Sequence, residues 1–134
     1  MARRTTAEHH KLTFLRVAIA LQTSALLFQT VTAGLLMSSS HGRAPHDIGS
    51  PVMYGASMVY VLAAILAWRP GGGPFRPVLY ASGFLVLASA QVALGIAQVT
   101  RLHVPLGILM FGLSVVALAR VLSARSEQGS RTRP

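Results

Sequence analysis

The chain has no cysteine and very few residues of negative charge. Its 134 residues include 3 Asp+Glu against 12 Lys+Arg, and only 11% of them are charged. The lack of cysteine excludes a disulfide scaffold, a zinc site made of thiolates and a thiol nucleophile. The scarcity of charge excludes an ordinary soluble domain, in which about a quarter of the residues are charged. With 52% hydrophobic residues, a chain of this length cannot hide its apolar surface in a soluble core.

Four long hydrophobic segments take the place of a polar surface. Each approaches the roughly 20 apolar residues that a membrane-spanning helix needs. They predict an all-α, integral membrane four-helix bundle with helices over about residues 12–37, 51–68, 78–100 and 103–122. A cleaved signal peptide is the alternative for the first segment, but its apolar run exceeds the usual length of about 7–15 residues. We expect that segment to be retained.

The two ends of the chain are predicted to lie outside the helical domain. Residues 1–11 are polar and form an N-terminal tail ahead of the domain at 12–122. Residues 123–134 carry three arginines and no apolar pattern, which predicts a disordered tail.

The distribution of basic residues predicts the orientation in the membrane. Ten of the twelve lie on one side of the predicted spans, and only Arg43 and Arg101 lie on the other. Because basic residues accumulate on the cytoplasmic side, both termini are predicted to be cytoplasmic. Eleven of the twelve are arginine, as is typical of a GC-rich genome, so we expect a bacterial cytoplasmic membrane. Nucleic-acid binding is disfavoured, since no basic run is interleaved with aromatic residues.

A shift of 57 residues aligns the second hydrophobic segment with the fourth. The pattern His-x6-Met-Tyr-Gly-x-Ser-x-Val begins at His46, and His-x6-Met-Phe-Gly-x-Ser-x-Val begins at His103. Because His, Met and Ser match by chance less often than Ala or Leu, the alignment predicts an internal duplication. Two parallel helical hairpins would then be related by a pseudo-twofold axis along the membrane normal. This arrangement places His46 and His103 at the same depth on facing helices.

Two pairs of glutamines have the spacing of a helix face. Gln22 and Gln29 lie seven residues apart in the first segment, and Gln91 and Gln98 lie seven apart in the third. Seven residues are two turns, so each pair is predicted to point into the bundle. For Gln22 and Gln91 we favour interhelical hydrogen bonds. Gln29 and Gln98 lie nearer the outer end, where support of a bound ligand is an open alternative.

Two facing imidazoles are the ligand set of a haem held between helices. The predicted cofactor is haem b, with His46 and His103 as axial ligands. Arg43 and Arg101 lie three and two residues before these histidines, and guanidinium groups bind carboxylates such as the haem propionates in a bidentate manner. Another metal ion at the two histidines, or histidines that bind nothing, are the alternatives. His41 has no counterpart in the second repeat and is a weaker candidate ligand.

The segment Gln91-Val-Ala-Leu-Gly95, a short polar link and then Leu102-His103 resemble the haem A synthase family. The resemblance covers about residues 12–122, one half of that eight-helix enzyme. It implies one haem-binding histidine on the second helix and one on the fourth, at His46 and His103. The family's catalytic half has a glutamate three residues before the helix-2 histidine, and this chain has Arg43 there. The resemblance therefore implies a haem-binding half-bundle for electron transfer or haem handling, without oxidation of the haem methyl group.

Other classes of function stay open at the level of the sequence. A cofactor-free structural or assembly subunit of a membrane (respiratory) complex would use the glutamines to bind partner helices. A small transporter is disfavoured, because no acid or base lies in mid-membrane where coupling residues are expected. No pair of carboxylates, nucleophile with its base or phosphate loop is apparent, so an enzyme is not favoured. The expected partners are the lipid bilayer and a second copy or a larger membrane complex.

Overall fold

In a computed structural model the chain forms four α-helices. The structure describes the backbone of residues 2–39, 42–69 and 75–131, and the side chains of residues 6, 10–39, 42–69 and 75–123. The helices are α1 (Ala2–Ser38), α2 (Arg43–Trp68), α3 (Arg76–Ile96) and α4 (Thr100–Arg131). The described residues include no strand, so the all-α prediction is confirmed.

All four helices are long and apolar enough to cross a membrane. The candidate spans are His10–Ser38, Arg43–Trp68, Arg76–Ile96 and Thr100–Ser123. Large apolar side chains lie on the outside of the bundle, among them Val17, Val86 and Leu109. A helix of a soluble bundle carries polar residues on its outer face, whereas lipid tails can cover apolar ones. The protein is therefore a multi-pass membrane protein, as predicted, while the side of the membrane that each end faces stays a prediction.

The helices pack as a four-membered ring. Helices α2 and α4 each contact both α1 and α3, so α2 and α4 lie diagonally across the bundle, as do α1 and α3. Small residues make up much of the core, which lets the backbones approach closely. The fully buried alanines are Ala18, Ala63, Ala64, Ala81 and Ala88.

The two ends of the bundle differ in their side chains. The histidine end is formed by the end of α1 near Ser38, the start of α2, the end of α3 and the start of α4, where His46 and His103 lie. The basic end is the opposite one, and it carries Lys11, Arg16, Arg69, Arg76 and Arg120. There the Lys11 ammonium donates to the backbone oxygen of Arg69 at 3.4 Å, which links the start of α1 to the end of α2.

Helix α2 begins eight residues earlier than predicted, at Arg43 rather than residue 51. Pro45 lies in the first turn, where a missing N–H leaves no helix bond unmade. Pro51 lies inside the helix, where it forfeits one hydrogen bond without ending it. His46 is therefore a helical residue in the first turns of α2.

The helical backbone also extends into both predicted tails. Helix α1 begins at Ala2, ahead of the predicted residue 12, and α4 continues to Arg131, so the prediction of disorder beyond residue 122 differs from the structure. Residues 123–128 contain neither proline nor glycine and include the good helix formers Ala124, Arg125, Glu127 and Gln128. The composition of these segments shows that they are polar, but polar composition does not argue against a helix.

Helix α3 ends before Gln98, which the sequence placed inside it. Gln98 has a φ of 56°, in the left-handed region. The amide of Val99 donates to the oxygen of Leu94 at 3.0 Å, and that of Gln98 to the oxygen of Gly95 at 3.1 Å. This pair of bonds is a Schellman termination. The predicted common face of Gln91 and Gln98 is therefore wrong at Gln98.

Candidate functional site

Two histidines from diagonal helices meet at the histidine end of the bundle. His46 lies in the first turns of α2 and His103 in the first turn of α4. Their ring centroids are 6.1 Å apart, and the ring planes are inclined by 77°. Both side chains are half-buried. The pair thus lies where the two helices face one another across the bundle.

A backbone carbonyl fixes the tautomer of His103. Its Nδ1 lies 3.0 Å from the backbone oxygen of Gln91 in α3. Since a carbonyl oxygen can only accept, Nδ1 carries the proton and donates it. Nε2 then holds a free lone pair, which is the form of imidazole that binds a metal ion. A Cβ atom at Gly95 would lie 3.4 Å from the Cε1 atom of the ring, so the backbone of α3 also limits its position.

A buried hydroxyl is the partner of Nδ1 of His46. The Oγ1 atom of Thr32 in α1 lies 3.1 Å from that nitrogen. The same hydroxyl is within reach of Gln29, whose backbone oxygen is 3.1 Å away and whose Oε1 is 3.3 Å away. When the hydroxyl donates its one proton to Gln29, its oxygen accepts from the imidazole and His46 carries its proton on Nδ1, as His103 does.

The Nε2 atoms of both rings are left for a ligand. Among the residues that the structure describes, the histidine side chains form hydrogen bonds only through Nδ1. A metal-binding histidine almost always donates its other ring N–H to a carbonyl, a carboxylate or a water molecule, which orients the ring and makes it a stronger ligand. Each histidine of the pair has such a hydrogen-bond partner at Nδ1.

The described side chains do not form a metal site without a cofactor. They include no group of three or more His, Cys, Asp or Glu residues that could hold a metal ion. Zinc sites in proteins use three or four protein ligands. A haem iron needs at most two ligands from the protein, because the macrocycle supplies the other four. Two facing imidazoles match that number.

The remaining predicted site residues lie at different distances from the pair. Gln29 is brought to it, because its amide Nε2 donates to the backbone oxygen of His46 at 3.3 Å. Arg43 and Arg101 are exposed at the same end of the bundle. Gln98 is not brought to the pair, because its side chain is exposed and donates to the backbone oxygen of Gly95 at 2.8 Å. His41 lies outside the described residues.

Thr32 and Gly95 are the site residues that the sequence reasoning missed. Thr32 is three residues after Gln29, so it shares the helix face that Gln29 presents to α2. That spacing could have identified it. Gly95 was quoted only as part of a motif, and its contact with His103 depends on the tight α3–α4 turn.

The two deeper glutamines do not form the predicted interhelical hydrogen bonds. Gln22 is fully buried, and neither of its amide atoms has a partner among the described residues. The Oε1 atom of Gln91 is likewise buried without one. Side chains that do form polar contacts between helices in this part of the bundle include Thr23 with Ser114, whose hydroxyl oxygens are 2.6 Å apart, and Tyr54 with Ser89, whose hydroxyl oxygens are 3.3 Å apart.

Comparison with protein-family models, curated proteins and solved structures finds no match to the chain. The resemblance to haem A synthase therefore rests on the short motif around Gln91 and His103 and stays a prediction.

Proposed function

We propose that the protein binds one haem b between His46 and His103 and transfers electrons across or along the outer face of a bacterial cytoplasmic membrane. The observation that carries the proposal is the pair of facing imidazoles, each with its Nδ1 at hydrogen-bond distance from a neighbouring helix and its Nε2 unbonded. A proton on Nδ1, which these contacts allow at both rings, is the protonation state in which Nε2 can bind a metal ion.

The spacing of the rings supports one metal ion between them. Metal–imidazole bonds are about 2.0–2.1 Å long, and the ring centre lies about 1.1 Å beyond the nitrogen. Two imidazoles that shared one ion would have centroids at most about 6.3 Å apart. The observed separation of 6.1 Å is close to this value.

The predicted internal duplication supports a site with two equivalent halves. Met53 and Met110 are both buried, as are Ser57 and Ser114, and the two histidines are both half-buried. Each of these pairs is related by the shift of 57 residues. A pseudo-twofold axis along the membrane normal accounts for the shared burial and brings one ligand from each half.

The residues around the pair favour electron transfer over oxidation of a substrate. When bound, the haem supplies one-electron redox chemistry. His46 and His103 would both hold the haem, and the position of the family's glutamate is occupied by Arg43. The guanidinium groups of Arg43 and Arg101 are exposed at this end, where they can bind the propionates.

Optical spectra of the purified protein test the proposal. Wild type, His46→Ala, His103→Ala and His10→Ala would be titrated with haem in detergent and recorded oxidised and dithionite-reduced. His10 is exposed on α1 at the far end from the pair, so it is the matched control. We expect a sharp reduced α-band in wild type and His10→Ala, and its loss in both site variants.

A colourless wild-type protein after haem titration would contradict the proposal. A band of equal strength in all four proteins would do the same, because it would show non-specific binding to detergent or to the helix surfaces. Either result would leave the cofactor-free assembly subunit as the function that fits the fold.

A further inference from the structure

Four buried side-chain atoms have no hydrogen-bond partner among the described residues. They are Nε of Arg16, Nε2 and Oε1 of Gln22, and Oε1 of Gln91. Gln22 is 1% exposed and Gln91 7% exposed. A buried amide without a partner is costly, and ordered water molecules usually bond such groups inside proteins. Lipid offers no substitute, because hydrocarbon cannot form hydrogen bonds.

These atoms follow one another along the length of the bundle. A Cβ atom at Gly107 of α4 would lie 2.7 Å from Nε2 of Gln91, which places that amide beside Gly107. Thr23, the neighbour of Gln22, bonds Ser114, seven residues further along α4. Seven residues of helix rise about 10 Å. Arg16 lies six residues before Gln22, about 9 Å further towards the basic end.

Buried hydroxyl groups also lie in the interior of the bundle, among them those of Thr23, Ser57 and Ser114. The Thr23 hydroxyl lies 2.8 Å from the backbone oxygen of Ile19 and 2.6 Å from the Ser114 hydroxyl. Ser57, which is fully buried, donates to the backbone oxygen of Met53 at 3.1 Å. Each hydroxyl oxygen has two lone pairs, so the Ser57 and Ser114 oxygens can still accept a hydrogen bond from another group.

We propose that a file of water molecules occupies the interior of the bundle from Gln91 through Gln22 to Arg16. Water both donates and accepts, so it can bond the N–H and the C=O of the same amide. A cation is a poorer occupant, because Arg16 carries a positive charge and the described spans contain no carboxylate near these atoms. Such a file connects the basic end with the level just below His103, and it gives protons a route into the middle of the membrane. The inference rests on the unpartnered amides and not on the haem.

The absence of cysteine allows a direct test with water itself as the probe. In full-length protein prepared without haem, Ser114→Cys introduces the only thiol of the chain. Its S–H stretching band lies in a clear region of the infrared spectrum and shifts when deuterium replaces the proton. Ala88→Cys is the matched control, because Ala88 is 0% exposed and lies in the apolar core while Ser114 is 1% exposed.

On transfer to D2O, we expect the thiol of Ser114→Cys to exchange at least tenfold faster than the thiol of Ala88→Cys. Gln22→Leu in the Ser114→Cys background should slow the exchange towards that of the control. Ser57→Cys provides a second position if Ser114→Cys does not retain its helical circular dichroism. Equal, slow exchange at the serine positions and the alanine position would overturn the proposal. Fast exchange that Gln22→Leu leaves unchanged would also overturn it. Failure of the haem titration would leave this result unaffected.

Discussion

At the scale of single residues, Thr32 decides the orientation of one predicted haem ligand. Its hydroxyl oxygen lies 3.1 Å from Nδ1 of His46 and can accept the proton of that nitrogen. Thr32→Val keeps the shape of the side chain but removes the acceptor, so Nδ1–H loses its partner. Loss of such a partner typically weakens metal binding by about 10–100-fold. We expect Thr32→Val to weaken haem binding by this order in an optical titration.

Thr32→Ser is the control for that substitution, since it retains the hydroxyl. It should bind haem nearly as well as wild type. If Thr32→Val and Thr32→Ser bound haem equally, the hydrogen bond to His46 would have no role in the site.

Gln98 has a strained backbone conformation that lowers the stability of the protein. A non-glycine residue in the left-handed region is strained by roughly 1 kcal/mol. Gln98→Gly removes the strain and loses only an exposed side-chain bond to Gly95. We expect it to raise the free energy of unfolding by up to about 1 kcal/mol, seen as a higher melting temperature in detergent.

Ala97→Gly is the comparison for Gln98→Gly, because Ala97 has a right-handed helical φ of −74°. Glycine there adds backbone freedom to the unfolded chain and should lower stability by about 0.5–1 kcal/mol. A lower melting temperature for Gln98→Gly than for wild type would contradict the proposed strain.

Sequence reasoning identified the two histidines but not what holds them. The repeat with a 57-residue offset pointed to His46 and His103 because it compares positions along the chain. Their hydrogen bonds join α1 to α2 and α3 to α4, and depend on the depth at which the helices cross. The partners, Thr32 and the carbonyl of Gln91, therefore required the folded structure.

At the scale of the helices, the turn from α1 into α2 depends on Gly42. A Cβ atom there would overlap the backbone of Leu35 and Leu36, which cannot move as a side-chain end can. We expect Gly42→Ala to push the start of α2 away from α1 and to lower stability by about 1–3 kcal/mol. Thermal unfolding followed by circular dichroism measures this.

Gly112→Ala is the control for Gly42→Ala, since nothing lies within 4 Å of a Cβ at that position. Alanine is favoured over glycine inside a helix by about 0.5–1 kcal/mol, so this variant should be no less stable than wild type. Equal melting temperatures for the two variants would show that the α1–α2 turn tolerates a side chain at Gly42.

The existence of the four helices followed from the sequence, but several of their ends did not. The length of an apolar segment predicts where a helix crosses the membrane. It gives no information about polar residues that continue the helix beyond the membrane. Arg43 to Ser50 extend α2 in this way. Helix α3 ends just before Gln98, which adopts the left-handed backbone conformation. Glycine usually occupies that position at the end of a helix, so the sequence did not indicate where α3 ends.

At the scale of the whole molecule, the orientation in the membrane determines on which side the histidine pair lies. Ser39 is exposed at the histidine end and Phe75 is exposed at the basic end. The chain has no cysteine, so Ser39→Cys and Phe75→Cys each carry one thiol. In intact cells, a membrane-impermeant maleimide should label Ser39→Cys and leave Phe75→Cys unlabelled until the cells are opened. The reverse pattern would place the pair on the cytoplasmic side.

The ring of four helices explains why two residues 57 apart in sequence meet. The predicted pair of parallel hairpins placed His46 and His103 on facing helices. In the structure α2 and α4 lie diagonally across the bundle, and the centroids of the two imidazole rings are 6.1 Å apart. The interior below the pair was less predictable. Interhelical bonds were expected for Gln22 and Gln91, but both amide atoms of Gln22 and the Oε1 atom of Gln91 lack a hydrogen-bond partner among the described residues.

Electron paramagnetic resonance of the ferric protein tests the central claim most directly, because the spin state of haem iron reports its axial ligands. With both imidazoles bound, the wild-type protein and His10→Ala should give a low-spin signal. His46→Ala and His103→Ala should each lose it in favour of a high-spin signal or of no bound haem. A low-spin signal that persists in either site variant would show that the haem is not held between these two histidines.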